Sequence, residues 1–254
     1  MKLLTDKYFK GYKEKNKNNI FKFFEKAGVN GNGNNFDFYF DISAVYSSNI
    51  EGNPMDLNSY LNAKAFKNKI KTKDYKEIED LKNTYAFAKG NKLTEKNFIE
   101  AHKFLSKQFL IKSKRGVYRS ERIGIFGEEG LIYAAIEPEK VEIEMKRLLA
   151  DIYTLLNKKG FSKEKVFYFA SMIHLRLAQI HPFADGNGRI ARLLEKWILS
   201  MFIGEKTWII KSEKYYKENR SYYYKHINLG VNYYEVNMDK CIPFLGMLAK
   251  AAAL

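Results

Sequence analysis

The chain holds a single cysteine, Cys241, in 254 residues. An intramolecular disulfide is therefore excluded, and so few thiols suit a reducing compartment. Long apolar runs are also missing. Leu131–Ile136 and Trp197–Ile203 fall far short of the ~20 apolar residues a membrane helix needs. The first residues, Met1-Lys-Leu-Leu-Thr-Asp, lack the apolar region of a signal peptide. These absences predict a soluble, cytoplasmic protein with no membrane partner. No internal repeat is present. Acidic residues are the scarcer charge, with 29 Asp and Glu against 44 Lys and Arg, a net charge of +15. Such a surplus invites a nucleic-acid reading. The lysines, however, are dispersed and often lie near Glu or Asp, as on ordinary solvated faces. Nucleic acid is thus the less favoured partner, although the charge would help to attract anions.

Hydrophobic residues make up 46% of the chain, enough for a full core. The length fits one large domain or one domain with an extension. The chemistry concentrates in His181-Pro-Phe-Ala-Asp-Gly-Asn-Gly-Arg-Ile-Ala-Arg192. Upstream, Val166, Phe169, Ala170, Ile173, Leu177 and Ile180 recur at helical spacing. Phe167, Met172, Leu175 and Ala178 fill most of the remaining circumference, which marks a buried helix. Downstream, Ile190, Leu193, Leu194, Trp197, Ile198 and Met201 form a one-sided stripe, which predicts an amphipathic helix. The polar stretch is then a loop leading into a helix N-terminus. The first N–H groups of a helix lack partners and carry the positive end of its dipole. Gly186 and Gly188 would let an anion approach the backbone. Arg189 and Arg192, three residues apart, would share one face and could fork onto phosphate oxygens. Asp185 suits Mg²⁺, which takes few carboxylates and fills its sphere with phosphate oxygens. His181 can accept a proton near neutral pH. These are parts for nucleotide transfer.

The stretch resembles the signature of the Fic family, His-x-Phe-x-Asp/Glu-Gly-Asn-Gly-Arg-x-x-Arg, and matches every defined position. The resemblance implies a mainly α fold, a helical bundle with a small β-hairpin flap. It implies transfer of AMP from ATP to a Ser, Thr or Tyr hydroxyl of a target protein, with pyrophosphate leaving. On that pattern His181 is the base and Asp185 holds Mg²⁺ or Mn²⁺. The backbone of Gly186, Asn187 and Gly188 forms the anion hole, and Arg189 and Arg192 hold the β- and γ-phosphates.

Ile42, Val45, Tyr46 and Ile50 predict a helix within residues 36–50, ending at Gly52. Its end, Ser47-Ser-Asn-Ile-Glu51-Gly52, resembles the family's inhibitory motif, Ser/Thr-x-x-x-Glu-Gly/Asn, in the class II position before the active site. The resemblance implies that Glu51 pairs with Arg192 and deprives the γ-phosphate of its partner. Further helices are expected over Leu57–Lys69, Lys73–Lys89, Thr94–Phe109 and Val141–Leu156. His102, in the third of these, reads as a surface or boundary residue. Two β-favouring runs, Ile123–Phe126 and Leu131–Tyr133, flank Gly127-Glu-Glu-Gly130 and predict a hairpin. It lies where the family places its flap, so Ile123, Gly124, Ile125 and Phe126 are the expected docking strand for a target segment. The segment Tyr223-Tyr-Lys-His-Ile227 is similar to the family's Tyr-Tyr-x-x-Leu, with Ile for Leu, and implies that Tyr223 or Tyr224 lines the adenine pocket. His174 faces the core and is expected to be packed.

The expected layout is a variable extension over 1–35, in which Phe21, Phe23 and Phe24 anchor a short helix before a Gly/Asn-rich loop over 28–35. A Fic domain follows over 36–250, with its core about 90–230. Residues 251–254 resemble an expression scar, and no DNA-binding extension is expected after the domain. Three other readings stay open. The same site could remove AMP from a modified protein, with Glu51 positioning water. Kinase-type transfer, as in the related Doc toxins, is disfavoured because those carry Lys where this chain has Gly188. A basic nucleic-acid-binding protein is the non-enzymatic alternative. Self-modification and homo-oligomer formation fit the family, and the target protein is unspecified.

Overall fold

A computed structural model of the chain describes residues 1–29, 36–66, 72–127 and 130–254. Among these, helices carry nearly all of the regular structure: α1 (Phe9–Val29), α2 (Phe36–Ile50), α3 (Leu57–Ala65), α4 (Lys73–Gly90), α5 (Glu95–Leu105), α6 (Pro138–Leu156), α7 (Lys163–Ile180), α8 (Asn187–Ile203), α9 (Ser212–Glu218), α10 (Arg220–Ile227) and α11 (Ile242–Ala252). Strands β1 (Gly124–Gly127) and β2 (Gly130–Ala134) form the one sheet among the described residues.

Helix starts follow local chemistry. The side chains of Asp56, Thr72, Thr94 and Ser162 accept from the free N–H groups of Ser59, Tyr75, Asn97 and Lys165, at the starts of α3, α4, α5 and α7. Pro138 opens α6, where its missing N–H costs nothing. The bundle is centred on α7, which packs against α8, α6, α1 and α11. Val166–Ile173, Leu175, Leu177 and Ile180 are all buried, so α7 is apolar on nearly every side, as expected. One hydrophobic cluster runs from Leu4 to Ala252.

Three expectations need amending. The N-terminal helix is long rather than short: α1 runs 21 residues and packs on α7 and α11. Phe23 is buried there, but Phe21 points to solvent. The Gly/Asn run over 28–35 begins inside α1, and its residues 30–35 lie outside the described residues. Nor is α8 one-sided, since Arg192, Glu195 and Lys196 are as buried as its apolar stripe. Their face meets polar partners instead of water. Lys196 Nζ lies 2.7 Å from Glu213 and 2.6 Å from Ser43 Oγ, and Glu195 accepts from the Tyr216 hydroxyl at 2.7 Å. A charge out of water needs such partners, and α2 and α9 supply them. Residues 67–69 of the predicted Leu57–Lys69 helix lie outside the described residues, and α3 ends at Ala65. Ala251 and Ala252 form the buried last turn of α11.

In the hairpin, Gly124 pairs with Ala134, Ile125 with Tyr133 and Phe126 with Leu131, with an irregularity between Ile125 and Phe126. Residues 128 and 129 of its turn lie outside the described residues. At its base, Ala134 also bonds residues 231–233 on its other side, so β1 is the edge left open.

Candidate functional site

The loop between α7 and α8 is set by its first residue. His181 ends α7 with φ 52° and ψ 60° and is the one non-glycine residue at positive φ among those described. That conformation costs on the order of 1–2 kcal/mol. Its N–H caps Leu177 O at 2.9 Å, and the turn brings the imidazole back over the last turn of α7. Nδ1 lies 3.3 Å from the Ala178 carbonyl, which can only accept. Nδ1 therefore carries the hydrogen, and Nε2 keeps its lone pair. Burial lowers the ring's pKa below the ordinary histidine value, and Arg119 lowers it further, against the bond to Ala178.

Asn187 staples the loop. Its Oδ1 accepts from Phe183 N at 2.9 Å, and its Nδ2 donates to Phe183 O at 2.8 Å. Gly186 sits at φ 84°, where any Cβ would press on Leu105, His102 and Phe109. One carboxylate oxygen of Asp185 accepts from Gly186 N at 2.6 Å, while the side chain stays 56% exposed. No group of three or more His, Cys, Asp or Glu poised to hold a metal occurs among the described residues. A single accessible carboxylate still fits a hard cation that borrows its other oxygens from a nucleotide.

The two arginines diverge. Arg189 bonds Glu77 of α4 at 2.8 Å and lies over the Phe109 ring, 3.9 Å from Asp185. Arg192 is fully buried. Its Nε donates to Ser47 Oγ at 2.8 Å, and its Nη2 donates to Ser47 O at 3.0 Å and to Glu51 Oε1 at 2.7 Å. Burial alone would raise the Glu51 carboxyl, but Arg192 and then Arg189 hold it below its ordinary value. A methyl group at Gly188 would collide with Glu51 Oε1. The carboxylate thus rests on the first turn of α8. Gly52, at φ 101°, turns the chain away after α2. Lys217 Nζ and the Tyr224 hydroxyl cap the last carbonyls of α2, Asn49 O at 3.0 Å and Ile50 O at 3.2 Å.

A cavity of about 690 Å³ opens between the hairpin, the loop and α10. It gathers Glu51, Ile125, Phe126, His181, Asn187, Gly188, Tyr223 and Tyr224. Tyr223 is buried, and its hydroxyl lies 3.0 Å from His174 Nε2 and 3.4 Å from Arg192 Nη1. His174 is fully buried in the core. Ile123 and Gly124 instead line a second cavity on the hairpin's other side.

Several residues of this site escape a reading of local spacing. His102 is fully buried, contrary to its expected surface or boundary position. It accepts from Gly116 N at Nδ1, 3.0 Å, so its Nε2 carries the hydrogen and donates to Asp185 O at 2.9 Å. Its ring stacks on Phe183 at 3.5 Å between centroids. Burial lowers its pKa to about 4, so it stays neutral. Glu77 and Arg119 are the other two. Their signal would have been a charged residue that the fold buries, which becomes visible only once the fold is known.

Residues 92–199 match the model of the Fic/DOC family. The protein adenylyltransferase Fic of Nematostella vectensis is 30% identical, over 81% of this chain and 45% of that protein. Its namesake in Culex quinquefasciatus is 28% identical, over 82% of this chain and 39% of that protein. The chain thus spans less than half the length of these curated relatives. Among solved structures, a Fic family protein from Desulfovibrio desulfuricans G20 aligns with a TM-score of 0.77, over 98% of this chain and 73% of that one, at 20% identity. Fic-1 from C. elegans aligns with a TM-score of 0.66, over 94% and 69%, at 17% identity. At such identities the structures establish a common fold.

Proposed function

The chain belongs to the Fic/DOC family, and from that premise we propose that it transfers AMP from ATP to a hydroxyl side chain of a target protein. The observation that carries this reading is the His181 ring, with Nε2 unprotonated, in the same cavity as the N-terminus of α8. His181 takes the proton of the target hydroxyl. The freed oxygen attacks the α-phosphorus, the bond from that phosphorus to the β-phosphate's bridging oxygen breaks, and pyrophosphate leaves. The backbone N–H groups opening α8 stabilise the phosphate charge, as positioning and electrostatics do in phosphoryl transfer generally. Arg192 and Arg189 clamp the β- and γ-phosphates, and Tyr223 and Tyr224 face the adenine. Asp185 would hold Mg²⁺ or Mn²⁺, which supplies charge neutralisation on the phosphates. The open edge of β1 would take an extended target segment by strand pairing.

On the same reading the resting chain is inhibited. The Glu51 carboxylate lies where a phosphate would rest and occupies Arg192. Losing a charge-assisted partner costs the γ-phosphate about 1.5–3 kcal/mol. Misplacement of the α-phosphate by about 1 Å can cost a further ~10²-fold in rate. The test uses ATP labelled at the α-phosphate, offered with cell lysate to the parent and to Glu51→Gly. The variant should label itself or lysate proteins at least ~10-fold faster than the parent, and with γ-labelled ATP it should add no label beyond that of lysate alone. Arg192→Ala in the Glu51→Gly background should reverse the gain. Equal labelling by parent and variant would refute inhibition, and γ-label transfer would point to a kinase. Release of AMP from a previously labelled protein would mark the reverse reaction.

A further inference from the structure

Arg119 stands outside the motif, yet its side chain is nearly fully buried and forms no ion pair among the described residues. Among those residues its hydrogen bonds go to backbone carbonyls. Nε donates to His181 O at 2.7 Å, Nη1 to Glu121 O at 2.8 Å and Nη2 to Ile136 O at 2.5 Å, with Ile180 O at 3.4 Å. Its own N–H donates to Pro182 O at 2.9 Å. Two of these acceptors, Glu121 and Ile136, lie just before β1 and just after β2. The third belongs to His181, held at positive φ before a proline, where the backbone resists that shape. One planar guanidinium thus joins both feet of the hairpin to the carbonyl of the residue that bears the imidazole. A second tie runs parallel to it, since the Tyr133 hydroxyl of β2 donates to Gln179 O at 2.7 Å.

Accepting the functional reading above, we propose that Arg119 is a positioning residue that sets the distance between the target-docking hairpin and the base. A target segment paired to β1 is placed only as accurately as β1 is placed on the loop. The fork geometry matters more than the charge, because an ammonium cannot serve three divergent carbonyls at once. Water attacking ATP does not dock on the hairpin. Hydrolysis of ATP to free AMP therefore depends on Arg119 much less than protein transfer does.

The test makes Arg119→Lys in the full-length Glu51→Gly chain. Amide exchange is followed over residues 124–127 and 130–135, and α-labelled ATP is followed into protein and into free AMP. The hairpin should exchange at least about tenfold faster while α7 and α8 keep their protection. Transfer to protein should fall about 10²-fold, free AMP formation less than about fivefold, and the Kd for ATP should stay within about threefold. If Arg119→Lys does not fold, Tyr133→Phe provides the same comparison through the second tie, with smaller changes in the same direction. Unchanged hairpin exchange overturns the proposal. So does an equal loss of transfer and hydrolysis, which is what a general loss of folded protein produces. If the Glu51→Gly chain with Arg119 intact labels no protein at all, the functional reading fails and the catalytic part of the proposal fails with it. The exchange measurement still decides whether Arg119 holds the hairpin.

Discussion

At the scale of single residues, the imidazole of His181 does work that no neighbour can take over. Among the described residues, the other ring near the loop, His102, is locked between Gly116 N and Asp185 O and has no free nitrogen. His181→Ala should therefore leave ATP binding within a few-fold of the parent while AMP transfer drops by about 10² or more. Nucleotide titration beside a transfer assay checks both. The pH profile follows from the lowered pKa. On the proposed mechanism the active form is the neutral ring, and a pKa lowered from the ordinary histidine value keeps it neutral further into acid. The acid limb of kcat/KM, measured in Glu51→Gly, should fall below pH 6.5 and not above it. In Arg119→Lys that limb should not move to lower pH, because the cation that disfavours the imidazolium becomes less well placed. Much of this site was legible because its residues are contiguous. A twelve-residue stretch with a base, an acid, two glycines and two arginines suggests parts for nucleotide transfer before the fold is known. His102, Glu77 and Arg119 did not, because each meets the loop across at least 62 residues of chain. Nothing in their own neighbourhoods says that the fold will bury them.

At the scale of elements, α2 is the part that carries the inhibition proposed above. Its C-terminal end is held by three separate sets of polar contacts: Ser47 and Glu51 on Arg192, Lys217 on Asn49 O, and the Tyr224 hydroxyl on Ile50 O. Lys217 touches neither arginine of the motif and lies outside the cavity. Removing its bond by Lys217→Met should cost α2 about 1 kcal/mol of docking energy. AMP transfer should then rise several-fold, short of the Glu51→Gly level, and a dose series of ATP with both variants measures the difference. No gain with Lys217→Met would mean that this bond does not help to hold Glu51 in place. The helical period predicted α2, α4, α5, α6 and α7 well. It misread α8, because a stripe of apolar positions says where one neighbour lies but not that a second, polar neighbour covers the opposite face. Lys196 and Glu213 find each other from different helices, and neither helix alone implies the pair.

At the scale of the whole molecule, the first residues are bound as tightly as an internal segment. The backbone N–H groups of Lys2, Leu3 and Leu4 all donate to the Asp151 carboxylate of α6, at 2.7–2.9 Å. Three charge-assisted bonds on one buried carboxylate make its loss expensive. Asp151→Asn should cost about 2–3 kcal/mol, read as a lower midpoint in urea, while the Kd for ATP stays unchanged because the site lies elsewhere. A midpoint equal to the parent's would show that the N-terminal segment adds nothing to the fold.

That clasp also has a direction in time. α1 packs on α7 and α11, with Ile242 against Gly11 and Asn16 against Gly246. A ribosome makes α1 more than two hundred residues before α11. Until α7 is made, the apolar side of α1, Tyr12, Ile20 and Phe23, has no surface to cover it, and until α11 is made that surface stays incomplete. Pairings so distant along the chain form late and slowly, and an uncovered apolar helix is what holding chaperones capture. The nascent chain should therefore complete the loop that ends at Arg192 while its outer clasp is still open.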